Sequence, residues 1–322
     1  MTPAPAIPPV PAGTPRPLWS VMIPTFNCAA YLRETLQSLL AQAPGPDEMQ
    51  IEVIDDCSTK DDPAAVVREL SPDGRVAFYR QPANGGAIKN FNTCIARSRG
   101  QLVHILHGDD VAEPGFYAQI GPRAAAHPDL VLFTGRSFLI DAQGNIEGMS
   151  PRCPDLEKPC RTGRVLWYEN YLPTPGVVIR RSFYEAHGGF LPGLCHVADW
   201  ELWWRALNRG GGLLVNLPLV RYRMFAGNDT GRLARTGENL RDYLRLAEII
   251  SRAEPEFDLA RFRAQVAHRA LEQTVRFESL GDPAAAAANM GLWRELVSGW
   301  ERFQMAVQHP RSYLRRLRAP RT

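Results

Sequence analysis

Over the first 110 positions, apolar residues alternate between short β-rich runs and longer stretches with helical spacing. Trp19-Ser20-Val21-Met22-Ile23 reads as a strand stopped by Pro24, and Leu32, Leu36, Leu39 and Leu40 then form the stripe of an amphipathic helix. Ile51 to Ile54 predicts a second strand with a helix near Pro63 to Leu70, and Val76 to Tyr79 a third. Gly85-Gly86 opens a helix with Ile88, Phe91 and Ile95 on one face, and Leu102 to Leu106 is a fourth strand running into Gly108-Asp109-Asp110. Strand–helix alternation of this kind predicts an α/β fold whose mostly parallel sheet is flanked by helices. Further on, Thr174 to Ile179 reads as a strand, Gly188-Gly189-Phe190 as a turn, His196 to Arg205 as a helix and Leu217 to Tyr222 as the last core strand. Beyond residue 230 only helical stripes remain: Leu240, Leu244, Ala247 and Ile250, then Phe262, Val266, Ala270 and Thr274, then Ala284 to Val297 after a break at Gly281-Asp282-Pro283. The expected organisation is a disordered Pro-rich lead-in over 1–17, a catalytic-type α/β domain over 18–230, and a C-terminal α-helical extension over 231–322.

Open sheets of this class collect ligands at the carboxyl ends of their strands. Polar residues stand at each of those ends: Thr25 and Asn27, Asp55 and Asp56, Asn84, and Asp109 with Asp110. Any one of them has an ordinary explanation as a helix cap or turn residue, whereas all four strand ends together point to a site. The first strand leads into Pro24-Thr25-Phe26-Asn27, so there is neither a dinucleotide-binding glycine loop nor a P-loop, and no G-x-S-x-G or H-E-x-x-H occurs. Asp109-Asp110 offers hard oxygen donors suited to Mg²⁺ or Mn²⁺, or alternatively an acidic first turn ahead of Glu113-Pro114-Gly115.

Composition narrows the class further. The chain is 45% hydrophobic and 22% charged, enough to build a core, and its net charge of +3 gives no reason to expect nucleic-acid binding. Charge is uneven, with 16 arginines against 11 acidic residues over 231–322, and the last of them form a basic amphipathic stretch, Arg311 to Arg318. That stretch is read either as a peripheral contact with anionic lipid or as a solvated tail, and the helices as a surface for self-association. No apolar run reaches the length of a membrane span, no export signal is visible, and six cysteines show no C-x-x-C pair, so a cytoplasmic chain with reduced thiols is expected, at most peripheral at the inner face of the membrane.

Val21 to Asn27, Val53 to Thr59, Asn84-Gly85-Gly86 and His107-Gly108-Asp109-Asp110 together resemble the successive motifs of family 2 glycosyltransferases, a family with the GT-A fold. The similarity runs from about Leu18 to Thr230. It implies an inverting transfer of sugar from a nucleotide-diphosphate sugar, by default a UDP-sugar, to a hydroxyl of a glycan or lipid-linked glycan, in bacterial surface polysaccharide synthesis. By the resemblance, Pro24, Thr25 and Asn27 line the nucleoside site, Asp56 recognises the base and Asp55 shapes the same pocket. Asp109 meets the ribose or the metal, and Asp110 is the principal ligand of Mn²⁺ or Mg²⁺. In His196 to Arg205, Asp199 matches the family's catalytic base. Asn84 belongs to the donor site through its motif. Lys89 is added on chemical grounds, as a cation one turn into the Gly85-Gly86 helix, and Arg223 as a partner for diphosphate charge. Trp200 and Glu201 are the acceptor-side candidates, by aromatic stacking and as a substitute second carboxylate.

The motif set also departs from the family at three places. Ala198 stands where the family has a glutamate. Tyr222-Arg223-Met224-Phe225 replaces a Tyr-Arg-x-His run, so the metal relies on Asp110, phosphate and water, or on Asn228 or Asp229. His107 replaces another aspartate and reads as a strand-end cap. The competing reading is a non-catalytic module of degenerate transferase fold that binds a nucleotide sugar or scaffolds partners.

Overall fold

In a computed structural model of the chain, residues 3–225 and 229–297 are described. The chain divides into two compact units, Met1–Phe225 and Ala226–Thr322.

The first unit runs β1 (Trp19–Thr25), α1 (Ala29–Leu40), β2 (Met49–Asp55), α2 (Pro63–Leu70), β3 (Ala77–Arg80), α3 (Ala87–Arg97) and β4 (Leu102–Ile105). It continues through β5 (Val111–Ala112), α4 (Phe116–Ala126), β6 (Leu132–Ile140), β7 (Ile146–Met149), β8 (Val177–Arg180), α5 (Arg181–His187), α6 (Ala198–Gly210) and β9 (Gly212–Arg223). One mixed sheet takes them in the order β3-β2-β1-β4-β8-β6-β9-β5, with β7 on β6. The β3-β2-β1-β4 part is wholly parallel, as the strand–helix alternation predicts. Antiparallel β8 then joins β4 to β6, and β9 runs parallel to β6.

Two registers set the site. Thr25 pairs with Asp55 and Met22 with Ile105, so β1, β2 and β4 finish at one edge and release their motifs side by side. At the far end of the sheet, Val111 pairs with Arg221, which brings the end of β9 against the segment that follows Asp110.

Packing holds that edge still. Leu32, Leu36 and Leu39 of α1 and Val66 and Val67 of α2 bury against Val21, Ile23, Ile51 and Val53, each large side chain contributing roughly 1.5–3 kcal/mol. Helix α2 begins with Asp62 accepting from the Ala65 N–H and Pro63 in the first turn. Helix α1 has no side-chain cap of its own, and Asp61 Oδ2 instead accepts the Ala29 N–H at 2.7 Å from the next loop.

The segment expected as a disordered lead-in differs where it is described. Ile7 is buried, the Pro5 carbonyl accepts from the Gly189 N–H at 3.1 Å, and the Pro8 carbonyl accepts from Arg181 at 3.0 Å. Proline fixes φ in advance, so docking such a segment loses little chain entropy, an effect its composition conceals. The expected strand at Thr174 is instead a single 3₁₀ turn, Thr174–Gly176, leading into β8.

The second unit comprises α7 (Asp229–Thr236), α8 (Glu238–Ala253), α9 (Leu259–Ser279) and α10 (Pro283–Leu296). Gly281 takes φ +70° between the last two helices, and Asp282 caps α10 by accepting from the Ala285 N–H. Asn289 donates to the Ala234 carbonyl at 2.9 Å, tying α10 to α7. Among the described residues no helix is long and apolar enough to cross a membrane. The basic stretch Arg311 to Arg318 and the alternative ligand Asn228 lie outside the described residues.

Candidate active site

Where β1 ends, the chain turns sharply: Asn27 sits at φ +52° and Cys57, across the gap after β2, at φ +63°. Asn27 Oδ1 accepts the N–H groups of Thr59 and Lys60 at 2.9 Å, and its own N–H donates to Ser58 Oγ at 2.8 Å. Its side-chain amide oxygen therefore pins the two motif loops together. Pro24 and Thr25 are buried, and the Pro24 carbonyl accepts from the Gly108 N–H, so both shape the site through the backbone. Phe26 between them is 46% exposed and presents an aromatic face to solvent.

Asp55 is fully buried, accepting from Arg80 Nε at 2.6 Å and from Ser58. Asp56 accepts from the backbone N–H of Gly85 and of Gly86, both at 2.9 Å, while Asn84 Nδ2 donates to the Asp56 carbonyl. Burial pushes the Asp56 carboxyl upward against those two bonds. The Asn-Gly-Gly turn is thus folded around Asp56. Lys89 is exposed one turn into α3, close enough for its charge to act on Asp56.

After β4, the Asp110 N–H donates to the His107 carbonyl at 3.1 Å, closing a tight turn. Ligand atoms of His107, Asp109 and Asp110 come within 4.8 Å of one another. Asp110 is fully buried, with Oδ1 accepting the Arg223 N–H at 2.7 Å and Oδ2 lacking a hydrogen bond, although it lies 3.3 Å from His107 Nδ1. Burial raises the Asp109 carboxyl, and the charge of Asp110 raises it further. Burial lowers His107, but the contact with Asp110 and the charges of Asp110, Asp109 and Asp199 outweigh it and leave the imidazole raised. An unpaired buried carboxylate oxygen beside a second carboxylate and an imidazole is a donor set that fits Mg²⁺ or Mn²⁺. Nearby, Cys28 bonds Thr25 Oγ1 at 2.8 Å; burial and then the charge of Asp109 push its thiol up to about 12, leaving it neutral.

Arg223, expected on the diphosphate, is 2% exposed and committed elsewhere. Its Nε donates to the Asp109 carbonyl at 2.8 Å, its other nitrogens reach Glu34 and the carbonyls of Asp141 and Ala142, and its guanidinium lies over Tyr31. It positions the Asp109-Asp110 turn and is corrected here from ligand to support. Arg221 pairs with Glu113.

Asp199 lies in the first turn of α6, where the helix dipole favours an anion. Its Oδ2 accepts from Thr174 Oγ1 at 3.1 Å and Asn170 Nδ2 at 3.3 Å, and its Oδ1 from the Trp200 N–H at 2.6 Å. Burial raises its pKa to about 6 despite those donors. The charges of Asp199 and His107 act on each other, so the base candidate and the carboxylate turn share one region. Ala198 is buried, leaving no place for a second carboxylate there.

The acceptor-side expectations need correction too. Trp200 is 2% exposed, with its indole N–H donating to the Leu166 carbonyl at 2.6 Å. Glu201 is equally buried, and its two oxygens accept from Arg205 Nε and Nη2. Successive helical residues point about 100° apart, so with Asp199 at the rim its two neighbours turn into the core. Sequence reasoning passed over Thr174 and Asn170, which lie 25 and 29 residues before Asp199 and have no motif of their own. It also passed over His107 as a donor, although an i, i+3 turn was visible in its motif.

Residues 20–171 match the profile described as glycosyl transferase family 2. The chain is 28% identical over 210 residues to the succinoglycan biosynthesis protein ExoU of Rhizobium meliloti, covering 59% of this chain and 57% of that one. It thus spans a little over half the length of that relative. By structure, it resembles Staphylococcus aureus TarS 1-349 in complex with UDP-GlcNAc, with TM-score 0.62 and 16% identity over 92% of this chain and 87% of that one. It also resembles the mannosyltransferase PcManGT of Pyrobaculum calidifontis, solved with GDP-Man and Mn²⁺, with TM-score 0.57 and 18% identity over 97% and 84% of the two chains.

Proposed function

We propose that this chain, whose residues 20–171 match the glycosyl transferase family 2 profile and whose fold resembles that of solved GT-A enzymes, is an inverting glycosyltransferase using a nucleotide-diphosphate sugar, by preference a UDP-sugar, in bacterial polysaccharide synthesis. The observation that carries this reading is the meeting of three parts at one strand edge: the Asp56-centred turn, the Asp109-Asp110 turn, and a half-buried carboxylate, Asp199, on the first turn of a helix. Solved relatives with UDP-GlcNAc and with GDP-Man support a nucleotide-sugar donor, and the resemblance to ExoU supports the polysaccharide setting.

The base stacks against exposed Phe26, and Asp56 accepts its imide N–H, using lone pairs that Gly85 and Gly86 leave free. Asp110, with Asp109, would hold the divalent cation, whose charge would offset that of the diphosphate leaving group. Lys89 supplies a second positive charge from the exposed start of α3. Asp199 accepts the proton of the acceptor hydroxyl as that oxygen attacks the anomeric carbon. The bond from the anomeric carbon to the diphosphate oxygen breaks on the opposite side, releasing the nucleoside diphosphate and inverting the centre. A pKa near 6 leaves Asp199 ionised at neutral pH yet basic enough to take the proton in the transition state.

Purified full-length protein is to be incubated with Mn²⁺ and a panel of nucleotide sugars, and nucleoside diphosphate release measured. One donor should be hydrolysed slowly and turned over faster with a glycan acceptor. If no donor binds or turns over, the enzyme reading fails and the non-catalytic module takes its place.

A further inference from the structure

The motif His107-Gly108-Asp109-Asp110 folds back on itself, so that residue i stands beside residue i+3. The imidazole is held flat against Phe91, with centroids 5.1 Å apart and planes 11° from parallel. Its Nδ1 faces Asp110 Oδ2 at 3.3 Å, and its Nε2 is buried without a hydrogen-bond partner. Asp110 cannot turn away to satisfy Oδ2, because Oδ1 is taken by the Arg223 N–H. With His107 neutral, as a metal ligand must be, a buried carboxylate oxygen left in this state is costly until a metal cation meets it. From the end of β9, Phe225 packs on Tyr31 at 5.6 Å and offers no donor atom. Among the described residues, no other group of three His, Cys, Asp or Glu ligands comes together.

We infer that His107 is itself a ligand of the divalent cation, completing with Asp109 and Asp110 a nitrogen–carboxylate site that prefers Mn²⁺ to Mg²⁺. The presence of a cation rests on the transferase reading above; the identity of its nitrogen ligand rests on the geometry of this turn. Mg²⁺ is hard and favours oxygen and water, whereas imidazole strengthens binding of first-row transition ions. An aspartate in place of the imidazole would give an all-oxygen site and remove that bias.

The test uses the full chain with Mn²⁺ alone, by pulsed electron paramagnetic resonance and by calorimetric competition with Mg²⁺. Bound Mn²⁺ should show a nitrogen hyperfine coupling that changes when histidine is isotopically labelled in the wild-type protein. His107→Asp should still bind Mn²⁺, lose that coupling, and narrow the preference for Mn²⁺ over Mg²⁺ by about tenfold or more. Mn²⁺ bound without a histidine coupling, a coupling that survives His107→Asp, or no Mn²⁺ binding at all would each overturn the inference. Donor hydrolysis measured on the same preparation separates the two claims. Turnover without histidine coupling removes the ligand and leaves the transferase, and coupling without turnover of any donor does the reverse.

Discussion

Asp199→Asn should make the protein more stable at alkaline pH while destroying its catalysis. Burial raises the Asp199 carboxyl from an ordinary 3.8 to about 6. At 1.36 kcal/mol per unit, holding this side chain ionised in the folded state costs about 3 kcal/mol when fully expressed. Because the folded carboxyl keeps its proton more tightly than the unfolded one, that penalty is absent below about pH 4, grows between about 4 and 6, and is complete above about 6. Asparagine has no charge to desolvate. It can still accept the Trp200 N–H, and the Thr174 hydroxyl can turn to accept from its amide nitrogen, but that nitrogen meets the Asn170 amide donor where a carboxylate oxygen stood. Losing that acceptor takes back about 1–2 kcal/mol, leaving a net gain of about 1–2 kcal/mol at pH 8. For a domain of this size that raises the melting temperature by about 2–8 °C. The assay is thermal unfolding of both proteins with chelator present, from pH 4 to pH 8. The variant should melt higher at pH 8, and the difference should vanish or reverse near pH 4. A difference that does not change with pH, or a variant that melts lower at pH 8, would refute the assignment of a desolvated carboxylate.

Three further outcomes follow from the same geometry. Arg223→Ala strips the buried guanidinium from Glu34 and from the carbonyls of Asp109, Asp141 and Ala142; it should cost about 3–5 kcal/mol in denaturant unfolding and weaken cation binding in calorimetry. The acid limb of kcat/KM should fall below about pH 6 as Asp199 takes up a proton, since only its ionised form accepts one from the acceptor. Thr174→Val removes a hydroxyl that donates to Asp199 and holds its pKa down; the acid limb should move to higher pH with the melting temperature changed by only a few degrees, a shift that a purely structural threonine would not produce.

The parallel half of the sheet was legible because each of its strands is a short apolar run ended by a polar motif, and β1, β2 and β4 lie in one register. Their convergence at one edge follows from that register, so Asp55, Asp56, Asp109 and Asp110 were findable as a group. What lay hidden depends on contacts between distant parts of the chain. Arg223 reads as a cation near the site, but its role is set by the pairing of β9 with β5, which joins residues about a hundred positions apart. Trp200 and Glu201 sit next to Asp199 in sequence yet face the core, since the phase of α6 cannot be fixed from its first turn alone. Strand β6 buries Thr134, Gly135 and Ser137 among its apolar residues, which blurs the pattern that marks a strand. The proline-rich start misled through composition: such a segment can be ordered by a few carbonyls and one buried isoleucine.

The central claim is that Asp199 is the base of a sugar transfer from a nucleotide donor. Its most direct test is to compare donor binding and nucleoside diphosphate release in wild type and Asp199→Asn, using the donor that the panel selects. The account predicts calorimetric affinities within about threefold of each other and release reduced by about a hundredfold or more in the variant. Equal release by the two proteins, or loss of donor binding in the variant, would contradict it.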